Sequence, residues 1–269
     1  MAAMTTMTGS GPMQDKLWSK GACDWAEIQE QGTLPLHSAA LNAAWVVRGT
    51  RLLDAGCGAG TASILASLRG ATVSAVDASE GLLEIVRGRL PGSDIRQADL
   101  ETLPYADETF DAVIANNSVF YAANPTAAMN ELARVVRPGG RVVVATWGPA
   151  DQCQYSAVLR LLGALMPPPP LGSTPGGPFA FAAPGALESL VEGAGLHVVE
   201  RDEAACPFVF PSAEISWRGQ SSSGPSRRAI ETSGEERVRA AIAEADAQFT
   251  RPDGSVRYDN LFLYVVGVR

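Results

Sequence analysis

Asp54-Ala55-Gly56-Cys57-Gly58-Ala59-Gly60 stands between an apolar run, Arg51–Ala55, and a helix-period segment, Thr61–Leu68. Glycines at a strand-to-helix turn permit positive φ and let the main chain approach a ligand closely. A dinucleotide fingerprint, G-x-G-x-x-G, would place its third glycine at position 61, which is Thr61. The spacing here is G-x-G-x-G, and an acid precedes it. A carboxylate at that point is poor company for a pyrophosphate and good company for a cationic or amine-bearing ligand. Three further groups follow in chain order. Asp77 closes a second apolar run, Thr72–Val76, where a carboxylate can accept both hydroxyls of a ribose. Ala98-Asp99-Leu100 follows a short third run, Ile95–Gln97. A carboxylate beside a backbone N–H there can hold the amine and ring nitrogen of an adenine. Asn116-Asn117-Ser118 closes a fourth run, Asp111–Ala115.

Proton-transfer groups are few. His37 lies in a helical stretch, Leu34–Val47, close to its Leu34/Leu41 stripe; it is a candidate base, with a half-buried structural histidine as the favoured reading. Tyr121 is the second candidate. His197 opens a strand and carries little weight. Cys57 has no basic neighbour in sequence and is expected to pack rather than react. The four cysteines, Cys23, Cys57, Cys153 and Cys206, form no CxxC pair and no metal spacing. No metal is expected, and dispersed thiols in a chain of this size suggest a reducing, cytoplasmic setting.

The elements that must position these groups follow from periodicity. Ser79 caps a helix with the stripe Leu82, Leu83, Val86 and Leu90, stopped by Pro91-Gly92. Asn124-Pro125 starts another, carrying Met129, Leu132, Val135 and Val136. Arg137-Pro138-Gly139-Gly140 turns the chain into a fifth strand, Arg141–Thr146. Strands apolar on both faces and separated by helices imply a parallel sheet covered on both sides, an α/β, doubly wound, Rossmann-like fold. Beyond residue 147 the pattern predicts a helix over Gln154–Met166, a polyproline stretch at Pro167–Pro170 and a Gly/Pro/Phe-rich loop over Leu171–Pro184. A short helix follows at Pro184–Ala194, then a sixth strand, Leu196–Glu200, and a helical turn at Pro211–Ser216. Ser233–Glu236 is taken as a capping box before a helix, and Leu261–Val268 as the last strand. The expected division is a disordered tail over 1–15 and one domain over 16–269. Within it lie N-terminal helices (16–48), a cofactor-binding half (49–147) and a C-terminal half with substrate-cap segments (148–269).

The chain has 269 residues, 46% of them hydrophobic, and a net charge of 21 − 29 = −8. That is ample material for a buried core, and it disfavours a polyanionic partner such as DNA or RNA. No apolar stretch is long enough to span a bilayer, and the start of the chain lacks the charged and apolar regions of a secretory signal.

LLDAGCGAGTAS, VDAS, ADLETLPYADETFDAVIANNSVFY and ELARVVRPGGRVVVATW, taken in that order, resemble the class I S-adenosylmethionine-dependent methyltransferases. The similarity is to the branch of ubiquinone/menaquinone-type C-methyltransferases and natural-product enzymes, over roughly residues 50–147. The resemblance implies S-adenosyl-L-methionine as cofactor and a seven-stranded sheet whose last strand is antiparallel. It implies that Asp54, Gly56 and Gly58, with Ala55 among the cofactor-binding residues, line the methionine part. Asp77 and Ala78 would hold the ribose with Leu82 packed nearby, and Asp99 and Leu100 the adenine. Asn116 and Ser118 would lie beside the sulfonium and the entering substrate. The motifs of amino-directed and cytosine-C5 nucleic-acid enzymes are missing: the fourth strand ends in Asn116-Asn117-Ser118-Val119, and the Pro-Cys order is reversed in Cys206-Pro207. The apolar segments after strand five and between strands six and seven point to a small hydrophobic acceptor, methylated on carbon or oxygen by a monomer or homodimer. Trp18, Trp25 and Ile28 are lid candidates, and Phe179, Phe181, Phe208, Phe210 and Trp217 are candidates for an apolar pocket. Two other readings stay open: a cofactor-binding protein without catalysis, and a nicotinamide-dependent oxidoreductase.

Overall fold

The structure, a computed structural model, describes residues 7, 9–167 and 177–269. The N-terminal part holds α1 (Gly11–Trp18), α2 (Ala22–Asp24) and α3 (Leu34–Ala43), with a π-helical turn over Trp25–Gln29. The central part alternates β1 (Arg51–Ala55), α4 (Thr61–Leu68), β2 (Thr72–Asp77), α5 (Glu80–Arg89), β3 (Asp94–Gln97), β4 (Phe110–Asn116), α6 (Pro125–Val135) and β5 (Val136–Trp147). The C-terminal part adds α7 (Ser156–Ala164), α8 (Ala186–Gly193), β6 (His197–Ala205) and β7 (Phe208–Phe210). It then continues with α9 (Ala213–Ser221), α10 (Gly224–Ser233), α11 (Glu235–Ala247), β8 (Val256–Tyr258) and β9 (Leu261–Val268).

Seven strands form one sheet in the order β3-β2-β1-β4-β5-β9-β6. The pairs from β3 to β5 are parallel, and β9 runs antiparallel between β5 and β6. The expected doubly wound sheet with an antiparallel last strand is therefore what forms. Its central strands are apolar on both faces because both are covered. Val143, Ala145 and Trp147 pack with Leu36 and Leu41 of α3 and Ala62 of α4. Val142 and Val144 pack with Met129 and Leu132 of α6 and Leu187 of α8. The winding reverses between β1 and β4, which lie side by side with Asp54 opposite Ile114. A doubly wound sheet opens a crevice at such a point, beyond the carboxyl ends of the strands.

Local signals explain most element ends. Ser79 Oγ accepts the Leu82 N–H, and Asn124 Oδ1 accepts the Ala127 N–H, as their cap positions predict. Four differences stand out. Residues 11–15, placed in a disordered tail, begin α1: Pro12 suits its first turn, and the Asp99 carboxylate accepts the Gly11 N–H. The Arg137–Gly140 stretch is no separate turn but an irregularity within β5, since pairing jumps from Phe110–Val136 to Ala112–Arg141. Ser233 does not cap α11; it ends α10 and donates to the Leu165 carbonyl, leaving Gly234 at the cap. Finally, α10 and the β7–β8 pair were not expected. Of the proline run read as polyproline, positions 168–170 lie outside the described residues, as does the loop over 171–176.

Candidate functional site

The crevice at the switch point is an open-mouthed cavity of about 160 Å³. The glycine turn forms its floor. Gly56, Gly58 and Gly60 all take positive φ, at 77°, 57° and 88°. A Cβ on Gly56 would stand 2.2 Å from Ser118 Cβ, and one on Gly58 would stand 2.6 Å from a Glu30 carboxylate oxygen, so a side chain would clash at Gly56 and at Gly58 would displace Glu30 as well as strain a positive φ. The turn's own N–H groups are all engaged from 56 to 60. Gly56 and Cys57 donate to the Val76 carbonyl, Gly58 to Asp77, Ala59 to Glu30 and Gly60 to the Cys57 carbonyl. Such a turn has no free donors to offer a phosphate, unlike the loops that bind pyrophosphate.

What it offers instead is negative charge. Asp77 Oδ2 accepts from Gly58 and Oδ1 from Ser79, each at 2.9 Å. Burial still raises its pKa to about 6, against the pull of those N–H groups. Burial also raises Asp54 to about 7, opposed by the Ser63 hydroxyl and reinforced by the charges of Glu30 and Asp77. Glu30 is raised by burial too, opposed by the Thr61 hydroxyl and the Ala59 N–H. Arg89, 3.8 Å from Glu30, is the nearby counter-charge. Three desolvated acids around one turn favour a positively charged ligand, whose arrival would hold them ionised. A sulfonium with an α-ammonium group is such a ligand.

Of the residues singled out in the sequence, Gly56, Gly58, Asp77, Ala78, Leu82, Asp99, Leu100, Asn116, Ser118, His37 and Tyr121 all line the cavity. Asp54 and Ala55 do not. Asp54 is buried behind the turn, accepting the Ser63 hydroxyl at 2.7 Å, and the Ala55 carbonyl accepts the Ser118 hydroxyl at 2.8 Å. Asp99 is buried and accepts from Gly11 and Glu101. Trp18 and Trp25, the lid candidates, face the cavity, whereas Ile28 packs against the core. Of the five aromatic pocket candidates, Phe208 lines the cavity; Phe210 and Trp217 are core residues.

The second half of the cavity is aromatic. Phe120, Trp147, Tyr155, Leu159, Pro178 and Phe208 line it. Trp147 stacks on Tyr155 at 5.6 Å with ring planes 11° apart, and Phe208 meets both edge-on. Neither Lys nor Arg lines the cavity among the described residues.

His37 lies between the halves with both ring nitrogens engaged, Nε2 with Thr33 Oγ1 at 3.0 Å and Nδ1 with Asn116 Nδ2 at 3.1 Å. Burial lowers its pKa to about 4, so it is neutral near pH 7. Burial pushes the Tyr121 phenol well above its ordinary value. Neither group is poised to take a proton at neutral pH.

Glu30, Gln29 and Trp147 belong to the site and were missed. Glu30 and Gln29 sit in a polar stretch that gives no local sign of burial. Trp147 had a sign: it continues the alternation Val143, Ala145, Trp147 onto the cavity face.

Residues 53–144 match the methyltransferase domain family. An uncharacterized protein of Mycobacterium tuberculosis (strain ATCC 25618 / H37Rv) is 32% identical over 162 residues, which cover 59% of this chain and 58% of that one. The chain thus spans less than two thirds of that relative's length. The demethylmenaquinone methyltransferase of Clavibacter sepedonicus is 43% identical over 101 residues, 36% of this chain and 41% of its own. In fold, the chain is similar to the crystal structure of the (4+2) cyclase SpnF, with a TM-score of 0.60 at 18% identity over 100% of this chain and 99% of that one. Residues 53–144 thus match a methyltransferase domain, and the fold of the whole chain is similar to that of solved S-adenosylmethionine-dependent methyltransferases.

Proposed function

We propose that this chain transfers a methyl group from S-adenosylmethionine to a carbon or oxygen of a small, largely apolar metabolite. The observation that carries the reading is one cavity with two chemically different halves: the buried acids Glu30 and Asp77 on the wall beside the glycine turn, with Asp54 behind it, and a cluster of aromatic rings beyond. Asp77 is the ribose-binding residue in this reading, Asp99 and Leu100 hold the adenine, and Asn116 and Ser118 flank the reacting centre. Residues 49–147 serve as the cofactor half, and 148–269 supply the acceptor wall together with Phe120 and Trp147.

When bound, the cofactor would supply a methyl group on a sulfonium, with the thioether as leaving group; the proton the acceptor gives up goes to solvent at the cavity mouth, since neither His37 nor Tyr121 is poised to take it. The chain's contribution is placement and exclusion of water. Aromatic walls position a flat apolar acceptor, and holding the reacting atoms about 3–3.5 Å apart supplies much of the catalysis. A dry site favours loss of the sulfonium charge in the transition state. With neither Lys nor Arg on the wall among the described residues, anionic acceptors are disfavoured. A nicotinamide dinucleotide is disfavoured because the turn's N–H groups are engaged internally.

Calorimetric titration with S-adenosylhomocysteine tests the cofactor half: binding in the micromolar range is expected, weakened at least about tenfold, or 1.4 kcal/mol, by Asp77→Ala. Absence of heat would end the reading. A second reading, a cofactor-binding protein that transfers no methyl, is favoured by one observation: His37 has both nitrogens engaged and neither candidate base titrates near neutrality. The fold does not decide between them, since a cyclase shares it. An assay with labelled methyl donor over an extract of the producing cell separates the two, because one labelled product removes the second.

A further inference from the structure

Several buried side-chain polar atoms find no hydrogen-bond partner among the described residues; on the cavity wall, setting aside Trp25 Nε1, which faces the Glu30 carboxylate, they are Gln29 Oε1, Asn116 Oδ1 and Asn117 Oδ1. A buried polar atom without a partner is costly, and its concentration at a cavity points to a ligand that satisfies it. Asn116 is the one whose amide nitrogen has a partner that fixes its orientation. It is 8% exposed and ends β4, beside the glycine turn.

Its orientation follows from a short relay. The Thr33 hydroxyl donates to the Glu30 carbonyl at 2.7 Å. That uses its only proton, so toward His37 the Thr33 oxygen is an acceptor, and the proton of the imidazole must be on Nε2. Nδ1 then carries a lone pair, and only the amide nitrogen of Asn116 can donate to it, at 3.1 Å. With its NH2 group committed to His37, the Asn116 side chain must turn its carbonyl oxygen the other way, and that oxygen is the unpartnered atom.

We propose that Asn116 Oδ1 is a specificity-determining contact that accepts a hydrogen bond from an O–H or N–H group of the methyl acceptor, and that His37 and Thr33 are positioning residues that hold the carboxamide in that orientation. An amide oxygen is far too weak a base to remove the proton. Its work is to select an acceptor that carries a donor and to fix that donor beside the turn. His37 is then not the base of the reaction. A neutral imidazole locked in one tautomer is what the relay requires, since a protonated ring would donate from Nδ1 and force the carboxamide over. The proposal rests on the methyltransferase reading above and adds that the acceptor is not wholly apolar.

The test uses the whole protein saturated with S-adenosylhomocysteine and two planar probes that fit an aromatic wall, 2-naphthol and its donor-free ether 2-methoxynaphthalene, titrated by calorimetry. Binding of 2-naphthol at least about tenfold tighter than the ether is expected, the worth of one hydrogen bond to an otherwise orphaned group. Asn116→Leu should bring the two probes within about twofold of each other. His37→Phe should narrow the gap likewise, and His37→Gln, which restores an acceptor for the Asn116 NH2, should reopen it. Equal affinity of the two probes for the unaltered protein, or no binding of either, overturns the proposal. If S-adenosylhomocysteine itself fails to bind, it is the methyltransferase reading that falls. A second measurement needs no variant. Nitrogen-15 spectra of the two histidine rings at pH 7 should show His37 neutral with its proton on Nε2. A proton on Nδ1 overturns the relay.

Discussion

Asp54 shows how a single side chain can stand for two roles that only the third dimension separates. In the sequence it is the acid that opens the glycine turn. In the structure it is buried behind that turn, and burial raises its pKa to about 7. An acid whose pKa is higher folded than unfolded binds more protons in the folded state between the two values. Its contribution to stability is therefore fully present below about pH 4 and is lost as pH rises toward about 7. Asp54→Asn removes that dependence while leaving an oxygen for the Ser63 hydroxyl. The difference in unfolding free energy between Asp54→Asn and the parent should thus move in favour of the variant from pH 4 to pH 7 and level off above. Urea titrations of the ligand-free protein at several pH values measure it. A difference that stays constant with pH would mean that Asp54 is ionised throughout. His37 acts in the opposite direction, because its depressed pKa makes the folded state lose stability as pH falls from about 6.5 to about 4. Comparing each variant with the parent, rather than reading the parent's own profile, keeps the two apart.

At the scale of elements, α6 provides a control that separates stability from binding. Asn124 caps it through the Ala127 N–H, Pro125 fills its first turn, and its apolar face is buried on the side of the sheet away from α3. Asn124→Ala should cost about 1 kcal/mol in chemical denaturation, the usual worth of an N-cap. Its affinity for S-adenosylhomocysteine should be unchanged. A loss of affinity would mean that the cavity depends on this helix. The elements most legible in the sequence are those like α6, where a cap, a proline and an apolar stripe agree. The same holds for α5 behind Ser79 and for β1, β4 and β9, whose burial on both faces leaves continuous apolar runs. The rest was hidden for physical reasons. Helix α10 starts with the same cap-then-proline signature as α6, Ser223 with Pro225, and Ser223 Oγ accepts from Ser226. Its Ser/Gly surroundings nonetheless read as loop. The β7–β8 pair consists of three-residue strands from distant parts of the chain, so no local period announces it. Of the site, the four landmarks on the sheet's carboxyl edge were legible because each ends a strand. Glu30 and Gln29 were not, because their burial comes from the N-terminal segment folding over the turn.

That folding-over is a property of the whole molecule. The segment from α1 to α3 forms one wall of the cavity and is pinned by polar contacts to the groups the cofactor would use or adjoin. Gly11 donates to Asp99, Asp15 accepts from the Glu80 N–H, and Ser19 meets Ser79. Glu30 accepts from Ala59, and Arg89 donates to the Ala26 and Ala59 carbonyls. Trp18, Trp25 and Thr33 of this segment face inward. A ligand in the cavity therefore touches sheet and cover together, and any opening of the cover that removes those contacts competes with binding. Amides of the cover that exchange by that opening should be slowed by the factor 1 + [L]/Kd, about a hundredfold at a ligand concentration a hundred times Kd. Hydrogen exchange with and without S-adenosylhomocysteine should show protection across residues 11–43 as well as in the turn at 54–60 and at 77–82. Helix α8, on the opposite face of the sheet, should be unaffected. If protection appears at the turn but not in residues 11–43, the ligand enters and leaves without moving the cover, and the cover is no more than a layer of the core. If both are slowed together, the N-terminal segment and the sheet form one binding unit, and affinity will depend on how firmly α1 docks on Asp99.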